Sequence, residues 1–167
     1  ELVHRLDRET SGILLVAKKR SVLKHLQEQF RERTTGKTYL ALVAGQWPQK
    51  LKVLDKSLHK YLLPDGERRV KVVPREHPDA MPSLSLVKVA RQSSAYSLLE
   101  VTIKTGRTHQ IRIHLASEGM AIVGDDKYGD FALNKSLQRA TERVPLRRMF
   151  LHAWRLQFKH PTSGAAM

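Results

Sequence analysis

His4-Arg5-Leu6-Asp7-Arg8-Glu9-Thr10-Ser11-Gly12 runs directly into Ile13-Leu14-Leu15-Val16-Ala17, and the junction of these two stretches decides how the chain is read. Seven of the nine residues from His4 to Gly12 are polar or charged. The run from Gly12 to Ala17 is apolar and predicts a buried strand. Thr10-Ser11-Gly12 is turn chemistry, so Asp7 rides on a tight polar loop beside a rigid element. Arginines on either side favour an ionised carboxylate, the state that a nucleophile or a general base needs. A surface turn closed by a salt bridge has the same pattern, and these residues alone leave both readings open.

Outward from that loop, strands dominate. Ser21 can cap a helix that places Val22, Leu23, Leu26 and Phe30 on one face. Thr38 to Ala44 predicts a second strand, ended by Gly45 and Pro48. Residues 64–82 hold four prolines and an Asp65-Gly66 pair, with a short hairpin possible through Arg69-Val70-Lys71-Val72. Leu84 to Arg91 and Ala95 to Ile103 predict two strands joined at Gln92-Ser93-Ser94. Leu99, Val101 and Ile103 alternate with Glu100 and Thr102, as a strand with one buried face requires. Thr108 suits the N-cap of a helix that Gly119 stops. Lys135 to Arg143 predicts another short helix. Phe150 to Lys159 predicts a last strand with His152, Trp154, Leu156 and Phe158 on one side. The expected class is α+β, strand-rich and mainly antiparallel.

The 167 residues suffice for one sizeable domain. No apolar run approaches the roughly 18–20 residues of a membrane-spanning helix. Without cysteine, disulfides, thiolate catalysis and Cys-ligated zinc are excluded. Thirty Lys and Arg against 16 Asp and Glu leave a net charge of +14, which predicts attraction to a polyanion. The basic residues are mixed with apolar ones along most of the chain, so a folded basic face is expected and not a basic tail.

Three further stretches carry candidate chemistry. In Thr105-Gly106-Arg107-Thr108-His109-Gln110-Ile111-Arg112, an arginine before a helix can hold a phosphate or a carboxylate, although ordinary helix capping has the same pattern. His109 and His114 are five apart, which does not place two metal ligands on one helix face. Tyr39 is either a core residue or a ring that stacks on a base. Lys135 to His160 holds seven Lys and Arg and one acid, Glu142, which suits a phosphate-facing surface. Asp125-Asp126 could suggest a metal pair, but Lys127-Tyr128-Gly129 reads as a turn.

His4 to Gly12 resembles the signature motif of the RluA family of pseudouridine synthases. Lys37 to Val43, Thr105 to His114, Phe150 to Ala153 and Phe158 to Pro161 follow in that family's order. Asp125 to Asp130 looks most like the family's RluC branch, which modifies 23S ribosomal RNA. The resemblance implies a mixed, mainly antiparallel sheet with flanking helices and a central RNA-binding cleft, filling residues 1–167 as one catalytic domain. It implies uridine isomerisation in RNA, most often ribosomal large-subunit RNA, with no cofactor and no metal. Asp7 would be the catalytic carboxylate. Tyr39 would pack on the target base, Arg107 would pair with Asp7, Arg5 would help extrude the uridine, and Leu151 would line the base pocket. The family also implies sequence before and after these residues, often an S4-type RNA-binding domain, so the domain is expected to be incomplete at both ends and to lack the S4 unit. The expected protein is a cytoplasmic monomer without membrane contact. Two alternatives stay open: a non-catalytic RNA-binding module derived from a synthase, and a metal-dependent nuclease built on Asp125 and Asp126.

Overall fold

Alternation of buried and exposed side chains along nine-residue strands builds one central sheet. The computed structural model describes residues 1–140 and 145–167. In chain order its elements are β1 (Ser11–Gly12), α1 (Arg20–Arg31), β2 (Gly36–Ala44), β3 (Val53–Asp55), β4 (Ser57–Leu62), β5 (Arg68–Val73), β6 (Leu84–Gln92), β7 (Tyr96–Ile103), α2 (Gln110–Ala116), α3 (Phe131–Gln138) and β8 (Leu151–Gln157). The sheet order is β1-β8-β2-β7-β6-β3, and β4 and β5 form a separate hairpin. Only β1 and β8 run parallel, so the sheet is mixed and mainly antiparallel, an α+β fold.

The main core lies on one face of this sheet. Ala41 and Val43 of β2 pack with Leu99, Val101 and Ile103 of β7, Val87 of β6, and Ile111 and Leu115 of α2. Helix α1 closes a second cluster through Leu23, Leu26, Val22 and Phe30, packed against Val3, Ala17 and Phe158. A third joins Leu58 of β4, Val70 of β5 and Ile113 of α2. Helix α2 thus packs between the sheet and the hairpin, which places the Thr105 to Arg112 stretch between them. Among the described residues no helix is long and apolar enough to cross a membrane.

Several elements depart from expectation for identifiable reasons. The apolar run after Gly12 is not a buried strand. Only Ser11–Gly12 pairs with β8, while Leu15 and Ala17 turn inward and Ile13, Leu14 and Val16 stay exposed. Helix α1 is capped at Lys19, without a side-chain bond, and not at Ser21. Helix α2 starts at Gln110, because His109 takes a left-handed conformation (φ 52°) and Thr108 is not its cap. The expected Lys135 to Arg143 helix lies earlier, capped by Asp130, whose carboxylate accepts the Leu133 N–H at 2.9 Å; Glu142 and Arg143 lie outside the described residues. In β8 the buried side chains are Leu151 and Ala153, opposite to the side expected. The β2–β8 register steps from Tyr39↔Ala153 to Thr38↔Arg155, so Trp154 is an extra residue that breaks the alternation. The hairpin expected at Arg69 to Val72 forms, with β4 as its partner.

A closed hydrogen-bond chain ties α2 to β6. Gln110 Nε2 donates to Ser85 Oγ at 3.0 Å, and Ser85 Oγ lies 2.9 Å from His114 Nδ1. His114 Nε2 lies 2.9 Å from Ser83 Oγ, which donates to the Lys56 carbonyl at 2.5 Å. Each hydroxyl then donates once and accepts once if His114 is neutral with its proton on Nε2. Burial lowers the His114 pKa from 6.5 to about 4. The unfolded chain therefore takes up a proton that the folded chain refuses. The resulting stability is complete above about pH 6.5 and is lost as pH falls towards 4, on the order of 3 kcal/mol. Denaturation midpoints measured from neutral pH downwards should show this acid limb, and His114→Gln should flatten it.

Candidate active site

The loop that carries Asp7 is pinned at both ends. At its far end Gly12 (φ +118°) lies against β8, where an added Cβ would stand 2.2 Å from the Ala153 carbonyl oxygen. Only glycine permits that approach. Ser11 Oγ is hydrogen-bonded to His152 Nδ1 at 2.8 Å, and the Ile13 N–H donates to Ala153 at 2.9 Å. At its near end His4 Nε2 accepts the Leu15 N–H at 3.1 Å, and the ring stacks on Phe30 of α1 at 4.8 Å. Burial, and after it the charge of Lys37, lowers the His4 pKa, which keeps the accepting nitrogen unprotonated. Between these anchors the Thr10 N–H closes a turn on the Asp7 carbonyl at 3.0 Å.

Asp7 opens into a cavity of about 460 Å³ whose lining also includes Arg5, Tyr39, Arg107 and Leu151. The five residues named from sequence are thus brought to one place from β2, β8 and two loops. Among the described residues the lining carries no carboxylate besides Asp7, whereas six Lys and Arg line it: Arg5, Lys37, Lys60, Arg68, Arg107 and Arg112. Tyr39 sits beside the register step between β2 and β8. Burial, helped by the Asp7 charge, pushes its phenol up to about 12, so it stays protonated near neutral pH. The expected ion pair between Arg107 and Asp7 is not formed. Arg107 Nε donates instead to the Pro82 carbonyl at 3.2 Å, and its backbone N–H is held by Gln110 Oε1 at 3.1 Å. Gln110 Oε1 also accepts the Thr105 hydroxyl at 2.6 Å, which fixes the turn and the direction from which Arg107 approaches.

The cavity is also supported by residues to which sequence gave no role. Arg112 Nε and Nη2 reach the two oxygens of Asp125, each at 2.7 Å. Asp125 is fully buried and accepts the backbone N–H groups of Lys127 and Tyr128 at 2.9 and 3.0 Å. Burial alone would raise its pKa, but the Arg112 bonds and charge outweigh it and hold the carboxyl below the usual range. Asp125 is therefore a saturated counter-ion, which corrects the reading of Asp125 and Asp126 as a metal pair. Tyr128 lies under the Arg112 guanidinium at 5.1 Å, and its Oη accepts the Val70 N–H of β5 at 3.0 Å. Burial raises the Tyr128 pKa, so its hydroxyl stays protonated, and it is hydrogen-bonded to His109 Nδ1, 2.7 Å away. Burial, then the Arg112 charge, lowers the His109 pKa, against an opposing effect of Asp7. His109 and Arg112 lie inside the Thr105 to Arg112 stretch, and Asp125 and Tyr128 inside the Asp125 to Asp130 segment, but no periodicity links the two segments, so their contacts with one another carried no sequence signal.

Comparison with known proteins follows the same residues. Residues 1–117 match the family described as RNA pseudouridylate synthase. The chain is 46% identical over all 167 residues to ribosomal large subunit pseudouridine synthase C of Haemophilus influenzae and 47% identical to the protein of that name from Escherichia coli K12. It covers 49% and 50% of those two proteins, so it spans about half the length of the curated relatives it matches. Among solved structures, human RNA pseudouridylate synthase domain containing 1 superposes with a TM-score of 0.81 at 27% identity, over 99% of this chain and 66% of that one. Human RNA pseudouridylate synthase domain containing 4 superposes with a TM-score of 0.74 at 27% identity, over 94% of this chain and 66% of that one.

Tyr128→Phe removes one hydroxyl that serves both Val70 N–H and His109 Nδ1. We expect it to cost about 1–3 kcal/mol of unfolding free energy, measured by chemical denaturation. A proton NMR titration of His109 should also show its pKa moving, upwards where Tyr128 is the donor to the neutral ring and downwards where Nδ1–H is the donor.

Proposed function

The chain belongs to the RNA pseudouridylate synthase family, and from that premise we propose that it isomerises uridine to pseudouridine in RNA, with the Asp7 carboxylate as its catalytic group. The observation that carries this reading is that Asp7 is the single carboxylate, among the described residues, in a cavity lined by six Lys and Arg together with polar and apolar side chains. Such a wall attracts a polyanionic strand and leaves one group able to act as nucleophile or base.

The reaction breaks the N1–C1′ bond of uridine, turns the base and joins C5 to C1′, after which C5 loses its proton and N1 takes one up, so that the product is an isomer of the substrate. It needs no redox partner, no energy source and no external group. A paired base must first leave its stack, at a cost of a few kcal/mol. Arg5, exposed at the mouth of the cavity, can offset part of that by phosphate contact and by filling the gap. Tyr39 and Leu151 offer the ring and the apolar surface against which the extruded uracil packs. Tyr39 is protonated at rest, so a role in removing the C5 proton requires its phenolate, formed only as base and sugar rearrange beside it. Arg107 supplies positive charge to the bound phosphate or to Asp7 once its bond to Pro82 is exchanged. The preferred substrate is ribosomal large-subunit RNA, supported by the names of the bacterial relatives. Those relatives support a cytoplasmic place of action.

Asp7→Asn is isosteric and should leave RNA binding nearly unchanged, measured by filter retention. Tritium release from C5-labelled uridine in ribosomal RNA should fall by at least about 10²–10⁴-fold. Near-normal release by this variant would sink the catalytic role of Asp7, and no release by the parent chain would favour a non-catalytic RNA-binding module. Binding should also weaken steeply with added salt, since cations dominate the wall.

A further inference from the structure

Away from the cavity, three metal-ligating side chains converge where the segment after β5 turns back across β4. His59 lies on β4, and His77 and Asp79 lie between β5 and β6. One ligand atom from each lies within 4.8 Å of the others. His59 Nδ1 is 3.9 Å from Asp79 Oδ2. The two imidazole rings are 4.9 Å apart, tilted by 40°. Ligand bonds of about 2.0–2.1 Å at tetrahedral angles put ligand atoms about 3.4 Å apart. The His59–Asp79 pair is therefore within about half an ångström of that spacing, and no pair of ligand atoms stands further apart than 4.8 Å.

The backbone on both sides is already fixed. Leu58 and Met81 exchange hydrogen bonds of 2.9 and 2.8 Å, and Leu58 is fully buried. The His77 N–H donates to Pro74 at 3.1 Å and the Ala80 N–H to His77 at 2.9 Å. His59 adjoins one anchor and Asp79 stands two residues before the other, so an ion would order side chains without reorganising the chain. The one exposed bond in the way, from the Asp79 N–H to His77 Nδ1 at 3.1 Å, can be exchanged for a bond to water.

We propose that His59, His77 and Asp79 form a structural site for one divalent transition-metal ion, Zn²⁺ by its ligand chemistry, that locks the 74–82 segment onto the β4–β5 hairpin. Two neutral imidazoles and one carboxylate suit zinc or nickel, whereas Mg²⁺ and Ca²⁺ prefer oxygen shells. A fourth position is left for water. Lys60 and His59 are consecutive on β4 and so point to opposite faces. Lys60 lines the cavity, so the ion braces from behind the hairpin that carries Lys60 and Arg68 into it. This site is independent of the isomerase reading. It was not legible in sequence, where His59 stands 18 positions before His77 with four strand and turn signals between them.

Calorimetric titration of the untagged chain with Zn²⁺ tests it, with Mg²⁺ as the comparison ion and thermal unfolding as a second readout. The expected result is one Zn²⁺ per chain, a raised Tm with Zn²⁺ and none with Mg²⁺, and a tetrahedral absorption spectrum when Co²⁺ replaces zinc. His77→Gln and Asp79→Asn should each weaken Zn²⁺ binding by at least the roughly 10–100-fold that loss of an outer-shell partner costs, while circular dichroism and the metal-free Tm stay as in the parent chain. Absence of stoichiometric Zn²⁺ binding, equal binding of Mg²⁺, or Zn²⁺ binding that survives both substitutions would overturn the proposal.

Discussion

The buried pair between Arg112 and Asp125 is the contact on which the site's geometry rests. Both charges are withdrawn from water, and such a pair holds only where every oxygen and N–H finds a partner. Asp125 meets that demand with two guanidinium bonds and two backbone N–H groups, Lys127 and Tyr128. The pair thereby fixes the turn after Asp125, and with it the Tyr128 ring. Tyr128 in turn holds Val70 of the hairpin and the imidazole of His109. One ion pair joins helix, turn, hairpin and cavity wall, and removing either partner would strand the other charge in the interior.

Around that frame the cavity brings opposite tendencies together. Its cations repel one another, and their proximity is tolerated because they are spread over separate elements and partly open to solvent. Lys37, set between β2 and Phe30, has its pKa lowered by burial and then by Arg33, the mark of a cation held close to others. A wall of this kind is costly when empty and favourable when a polyanion lies against it, which is how an electrostatic surface favours a strand of RNA before any base is recognised. The single carboxylate gains importance from the same imbalance. Asp7 already acts at a distance, adding to the burial that raises the Tyr39 pKa and opposing the burial that lowers that of His109.

Much of this was open to reading along the chain, and what failed did so for definite reasons. The alternation of Leu99, Val101 and Ile103 located β7 and its buried face, because a one-sided strand needs only local pattern. The same logic failed for Ile13 to Val16, where an apolar run has little strand pairing to bury it. It failed again at β8, where one extra residue at Trp154 exchanged the two faces. The start of α2 was misjudged because the left-handed turn at His109 is set by bonds to Tyr128 and Gln110, both fixed by tertiary packing.

By itself the sequence determined which chemical groups are present and which elements carry them: an aspartate flanked by arginines on a glycine-closed loop, a tyrosine on a strand, an arginine before a helix, and a large positive charge. Those are local properties, set by composition, turn chemistry and short-range periodicity. Tertiary structure alone decided which groups meet. It turned Arg107 towards Pro82 instead of Asp7, buried Asp125 as a counter-ion, joined His109 to Tyr128, and brought His59 to His77 and Asp79. Each of these depends on residues far apart in the chain whose proximity is set by packing, and no local pattern encodes such a distance.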